Sequence, residues 1–246
     1  KRQSARAAAN EEDPRARAIG FLMSLFQRRL ASSTHALARS LENRAKRLAD
    51  SLTAARQLVA LAPPEIPDAD EWDELEDTER ERIEQITEAI TLTNNAEEIK
   101  EEIRELKELA EKAKAVQESG TEAKLTKLKF ILQEQGFFEN SEERLLIFTE
   151  YRDTLEYLVD KLKTWGFKVG FIHGQMKPGS REDTGTRLYA EQQFKEGKFQ
   201  ILVATEAAGE GINLQVCHIM FNYDIPWNPN RLEQRMGRIH RYGQTR

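Results

Sequence analysis

A chain of 246 residues with one cysteine, 39% apolar and 32% charged residues and a net charge of −5 has the makeup of a globular protein of one or two domains. No apolar run nears the ~20 residues of a membrane span, and the start KRQSARAAAN lacks the apolar stretch of a secretory signal. Cys217 alone can form neither an internal disulfide nor a cysteine zinc site, so a reducing, intracellular setting is expected and no metal site is assigned. The chain starts without Met and stops at GQTR just after an arginine-rich stretch, so it reads as a piece of a longer protein.

Charge divides the chain. Residues 1–62 carry +7, residues 65–118 carry −13 and residues 119–246 carry +1. The overall acidity therefore says nothing about affinity for nucleic acid, because one acidic block masks a basic front and a locally basic tail.

In residues 17–61, Ile19, Leu22, Phe26 and Leu30, then Leu37, Leu41, Leu48, Leu52 and Leu58, recur at helical spacing. This predicts two or three helices, with the break at Ser32, Ser33 and Thr34, whose side chains can cap. APPEIPDAD (62–70), with its prolines, reads as a linker. From Trp72 to Lys114, Ile83, Ile86 and Ile90, then Ile99, Ile103, Leu106, Ala110 and Ala113, form a narrow apolar stripe in a charged background. That pattern predicts an antiparallel helical hairpin turning near Asn94 and Asn95, with its charge mostly a solvated face.

Past Gly120 the pattern changes. LLIFT (145–149), KVGFI (168–172), FQILVAT (199–205) and HIMFNYD (218–224) are short apolar β-rich runs, the first three separated by amphipathic helical patterns. Near-continuous apolar strands alternating with helices predict an α/β domain with a parallel sheet covered on both faces. Helix boundaries are signalled by Ser180 with Asp183 as a capping box, by Asn228 followed by Pro229, and by Gly166 as a helix stop. The expected division is a helical lead-in over 1–62, an acidic helical hairpin over 63–120 and the α/β domain over 121–246.

In open parallel sheets ligands bind beyond the carboxyl ends of the strands, which points to Thr149 through Tyr151, His173 and Gly174, Thr205 through Leu214, and Asp224 through Arg241. In ATEAAGEGINLQ, Gly209 and Gly211 permit tight turns and close backbone approach. In NPNRLEQRMGRIHRYGQ, Arg231, Arg235, Arg238 and Arg241 recur at spacings of four and three and share a helix face with Gln234. Guanidinium groups crowded in this way call for an anion, and their planar donor forks suit phosphate oxygens. Gly237 costs about 1 kcal/mol relative to Ala inside a helix, which suggests close approach of another backbone or ligand. Asp224 reads as a positioning carboxylate, Cys217 as a small buried hydrophobe, Trp227 as a packing residue, and His173 and His240 as hydrogen-bonded loop residues.

LLIFTEYRDTLEYL, FIHGQM, ILVATEAAGEGINLQ and NYDIPWNPNRLEQRMGRIHRYGQ, in this order and at these separations, resemble motifs IV through VI of the second RecA-like lobe of superfamily 2 helicases. Within that superfamily they are most similar to the Swi/Snf-type translocase branch, in its RapA-like bacterial and archaeal members. The resemblance covers about 141–246, and FQRRLASSTHALARSL (26–41) resembles the helical lead-in of those proteins. It implies a RecA-like fold preceded by an all-α insertion that resembles the branch's protrusion. It also implies that Arg238 and Arg241 reach the γ-phosphate of ATP, with Gln234 at the opening of that motif. Gly209, Gly211 and Asn213 would lie near the nucleotide, with Asn in place of the Asp common in other branches. Thr149, Gly174 and Thr205 would touch nucleic-acid phosphates, contacts that carry no sequence information.

The implied function is the C-terminal motor lobe of an ATP-dependent DNA helicase or translocase. It would act with an N-terminal RecA-like lobe of the same chain, which would hold most of the contacts to ATP and Mg²⁺, on double-stranded DNA in the cytoplasm, at the nucleoid in a prokaryote. G-x-x-x-x-G-K-[ST] occurs nowhere in the sequence, so the isolated chain should not hydrolyse ATP. The rival reading is a non-catalytic scaffold that binds a partner protein through residues 72–114.

Overall fold

The computed structural model describes residues 14–53, 71–72, 75, 77–91, 96–120, 122–205, 214, 216–226 and 228–239. The chain divides into two compact units, 1–121 and 122–246.

The first unit is helical. Helix α1 spans Pro14–Ser32 and α2 spans Thr34–Thr53. The break falls at Ser33, whose Oγ accepts the Ala36 backbone N–H at 3.0 Å, the N-cap expected from the Ser-Ser-Thr run. Helix α3 spans Asp77–Thr91 and α4 spans Ala96–Glu118. The linker 62–70 and the Asn94-Asn95 turn lie outside the described residues.

The acidic helices do not make their core mainly with each other, as a free-standing hairpin would. Ile99, Leu106 and Ala110 of α4 bury against Leu41, Ala45 and Leu48 of α2. Ile83 of α3 packs on a second cluster formed by Leu22, Leu25 and Trp72. The opposite charges of front and acidic block meet across these seams. Arg29 of α1 donates to Glu84 of α3 at 2.7 Å, Arg44 of α2 to Glu102 of α4 at 2.6 Å, and Arg47 of α2 to Glu88 of α3 at 2.6 Å. The narrow stripes of α3 and α4 thus find partners in the basic helices, which the local pattern could not reveal.

The pairs differ in what they cost: despite its burial, Arg47 is held above its ordinary value by Glu88. Burial pushes the Glu84 carboxyl above its ordinary range despite the attraction of Arg29. A buried ion pair whose desolvation outweighs its Coulomb gain specifies which helices meet, and breaking it from one side leaves an uncompensated charge.

The second unit begins with α5, Ala123–Glu134, followed by β1, Leu145–Thr149. Helix α6 (Arg152–Thr164), β2 (Val169–Ile172), α7 (Arg187–Lys195), β3 (Ile201–Thr205), β4 (Ile219–Asn222) and α8 (Pro229–Ile239) follow. The four strands form a parallel sheet in the order β2-β3-β1-β4, with Leu145 opposite Ile201 and Ile219.

Alternation along the strands builds two cores. Leu145, Ile147, Ile201 and Val203 face one way, onto Leu155, Leu158 and Leu162 of α6 and Leu125, Leu128 and Leu132 of α5. Leu146, Phe148, Leu202 and Ala204 face the other, onto Ala190 and Phe194 of α7 and onto Leu214 and Cys217. Every residue of β1 and β3 is buried, whereas β4 is half-buried throughout. This is the expected α/β architecture with helices on both faces.

Local signals fared unevenly. Gly166, at φ +95°, ends α6 as expected, with the Phe167 N–H returning to the Leu162 carbonyl at 3.1 Å. Asn228 caps α8 through its Oδ1, which accepts the Asn230 N–H at 3.0 Å. The Ser180 and Asp183 capping box is not used. Residues 180–186 stay irregular, and Thr186 caps α7 by accepting the Tyr189 N–H at 3.3 Å. Gly170 on β2 has a different reason to be glycine, since a Cβ there would lie 2.2 Å from the Phe199 ring.

Candidate functional site

With all strands parallel, their carboxyl ends share one edge of the sheet, and Thr149, His173, Thr205 and Tyr223 stand there. β1 and β3 are neighbours whose outgoing connections run in opposite directions, one to β2 and the other to β4. The chain after β1 enters α6 over the first core, while the chain after β3 reaches Leu214 and Cys217 in the second. In an open parallel sheet such a divergence marks the strand ends, between Thr149 and Thr205, as the place where a ligand crevice is expected.

Asp224 organises this edge. Its Oδ2 accepts from Thr149 Oγ1 at 2.6 Å and from the Glu150 backbone N–H at 3.1 Å, and its Oδ1 accepts from Lys124 Nζ at 2.7 Å. The Tyr223 N–H donates to the Phe148 carbonyl at 2.8 Å. One carboxylate therefore ties the ends of β1 and β4 to the first turn of α5, the positioning role its sequence neighbourhood suggests. Lys124 Nζ also lies 4.3 Å from the centre of the Tyr223 ring. Burial, and then the nearby Glu122 carboxylate, hold the Tyr223 phenol far above its ordinary range. Tyr157, which donates to Glu122 Oε2 at 2.8 Å, is raised for the same first reason.

Arg235 secures the arginine-bearing helix. It is 2% exposed, and its Nη1 donates to Asn222 Oδ1 and to the Asp224 carbonyl, both at 2.8 Å. Its guanidinium lies 5.2 Å from the centre of the Phe148 ring. Arg235 and Gln234, expected on one face of α8, therefore lie on different sides of it. Arg235 points inward as an anchor, while Gln234 is exposed on the outer side of α8. A Cβ built at Gly237 meets no described atom within 4 Å, so nothing among the described residues supplies the close approach that a mid-helix glycine suggests.

The other expected site residues fall as follows. Thr149 is fully buried, and its hydroxyl donates to Asp224 Oδ2, which makes it part of the positioning network. Thr205 is also fully buried, and its hydroxyl has no hydrogen-bond partner among the described residues. Gly174 sits half-buried in the loop after β2, held by Arg187, which donates to the Gly174 carbonyl and, through Nε, to the Met176 carbonyl at 2.9 Å. His173 faces Phe171 with parallel rings. Gly209, Gly211, Asn213, Trp227, His240 and Arg241 lie outside the described residues, as does the side chain of Arg238, whose backbone is in the last turn of α8.

Cys217 is buried as expected. Its Sγ donates to the Ile219 carbonyl at 3.0 Å, and burial pushes its thiol up to about 11. Among the described residues no group of three His, Cys, Asp or Glu side chains is placed to hold a metal ion, and no helix is long and apolar enough to cross a membrane.

Residues 123–243 match the helicase conserved C-terminal domain. They form the C-terminal domain of a superfamily 2 helicase. The chain is 47% identical over 115 residues to the uncharacterized ATP-dependent helicase YqhH of Bacillus subtilis, and this stretch is 47% of the chain and 19% of that protein. It is 35% identical over 134 residues to the CHD3-type chromatin-remodeling factor CHR7 of Arabidopsis thaliana, 54% of the chain and 10% of that protein. It is 33% identical over 105 residues to the ATP-dependent RNA helicase DBP10 of Ajellomyces capsulatus, 43% of the chain and 11% of that protein. The chain thus spans a fifth or less of the length of these relatives.

Proposed function

We propose that this chain is the C-terminal motor lobe of an ATP-dependent translocase of the Swi/Snf type that moves along double-stranded DNA. It works with an N-terminal RecA-like lobe that carries the phosphate loop. The observation that carries this reading is the anchoring of α8 at the carboxyl edge of the sheet. Arg235 grips Asn222 and the Asp224 carbonyl from inside, so Gln234 and the bare surface at Gly237 are presented outward.

An exposed amide, an open helix surface and arginines on the same short helix form a donor set that fits a triphosphate. Gln234, Arg238 and Arg241 would meet the phosphates, and the loop with Gly209, Gly211 and Asn213 the ribose side. ATP supplies the phosphoanhydride energy when bound, with Mg²⁺ held mainly by the N-terminal lobe. The residues of this lobe orient and neutralise: always-charged guanidinium groups brought up by lobe closure stabilise charge spread over phosphoryl oxygens. Asp224 and Arg235 are positioning residues that keep α8 at a fixed distance from the crevice. The track is gripped at the ends of β2 and β3, by the Gly174 loop and the chain at Thr205.

DNA is favoured over RNA by the resemblance to the Swi/Snf branch and by the chromatin-remodeling relative, while the RNA helicases among the relatives make duplex RNA the competing track. The test is ATP turnover by a two-lobe protein carrying this chain, with duplex DNA, duplex RNA and neither. Stimulation by DNA that falls steeply with salt is expected. Stimulation by RNA alone would replace the DNA assignment.

A further inference from the structure

The helical unit holds an apolar groove that the motor reading leaves unused. Its walls are α1 and α4 and its floor is α2, where Leu37 and Leu41 lie. Leu22, Phe26 and Leu30 face it from α1, and Leu106, Leu109 and Val116 from α4. Leu30, Leu109 and Val116 are 52%, 49% and 46% exposed, an arrangement that isolated helices of a finished core avoid. The cavity is about 860 Å³. At a helix diameter of ~10 Å and a rise of ~1.5 Å per residue, that is room for roughly two turns of another helix.

The rim supplies the second observation. Glu98, Glu101 and Glu105 line the groove from α4 at spacings of three and four, and all are exposed. Glu102 is taken up by Arg44, and Glu101 pairs with Arg104 on its own helix. Glu98 and Glu105 have no ion pair among the described residues. The one other cation of the lining besides Arg44 is Lys112. An apolar floor with an acidic rim selects an occupant with the complementary pattern.

We infer that this groove binds an amphipathic helix of another protein, with apolar residues at every third or fourth position and Lys or Arg along its flank. Helix-in-groove recognition takes its affinity from the apolar anchors and its choice of partner from the flanking charges. The inference gives the acidic segment a chemistry of its own, separate from ATP turnover.

The probe is a fluorescein-labelled helical peptide of about four turns with Leu anchors and Lys flanks, beside a copy with Glu flanks, each titrated against the full chain by fluorescence anisotropy. The Lys peptide is expected to bind at least ~10-fold tighter than the Glu peptide. Leu109→Lys should abolish binding, and Glu98→Lys with Glu105→Lys should invert the preference; both change exposed positions, and thermal melting confirms that the fold persists. Equal binding of both peptides, binding kept in Leu109→Lys, or no saturable binding would overturn the proposal. Self-association of the chain that Leu109→Lys abolishes would also overturn it, because the groove would then belong to a second copy.

Discussion

The two units solve the same problem with different chemistry. In the helicase domain the central strands are dry on both faces, and polar side chains with structural duties gather at the carboxyl edge, around Asp224 and Arg235. In the helical unit the apolar seams are narrow, and charged residues run through the interior, with Arg44, Glu84 and Glu88 all buried. The first arrangement takes its stability from area removed from water. The second takes its specificity from arginine and glutamate pairs that each lose solvation to meet.

Substitutions sharpen this contrast. Phe194, fully buried between α7 and the sheet, is expected to cost ~4 kcal/mol when changed to Ala, through lost burial and a cavity. Amide hydrogen exchange should show the loss in the helicase domain alone. Equal loss of protection in α1 through α4 would break the division into two units.

The next effect belongs to the helical unit. Arg29→Met leaves Glu84 buried without its partner, which is expected to cost ~3 kcal/mol in chemical denaturation. Adding Glu84→Gln should recover most of it. If the double variant is no better than the single one, packing by the Arg29 stem and not charge holds α1 to α3.

A smaller effect separates the units by pH. The Cys217 thiol is raised by burial from its ordinary 9.0 to about 11, so its folded form resists ionisation. Its contribution is complete below about pH 9 and is lost as pH rises through about 11, a loss of roughly 2–3 kcal/mol. Unfolding free energies at those two limits should differ by that much more in wild type than in Cys217→Ala. An identical pH dependence would place the thiol in contact with solvent. Smallest of all, Lys100→Ala removes an exposed pair with Glu97 on α4 and should change stability by less than ~0.5 kcal/mol, in contrast to Arg29.

Sequence pattern made the sheet legible because a buried parallel strand is a run of apolar residues whatever surrounds it. All four runs contain the observed strands, and their order along the chain with intervening helices implied parallel pairing. The strand order required the tertiary structure. At the site, spacing grouped the arginines of α8 but could not say which of them turns inward, since that depends on Phe148 of β1 and Asn222 of β4, which only the folded sheet brings together. Lys124, which completes the Asp224 network across 100 positions, gave no local signal at all. The hydroxyl of Thr149 was legible as a residue type at a strand end, but its commitment to Asp224 was not. The acidic block is legible as two helices but not as to what they pack on, because a stripe declares that a partner exists without naming it.

We propose that α8 carries Arg238 to the γ-phosphate of ATP. It is tested most directly by Arg238→Ala in a two-lobe protein carrying this chain, with DNA-stimulated turnover and nucleotide binding measured side by side. A fall in kcat on the order of 10³-fold or more is expected, with nucleotide affinity nearly unchanged, the signature of a group that acts in the transition state. Turnover equal to wild type would contradict it and leave Arg238 as one more surface charge.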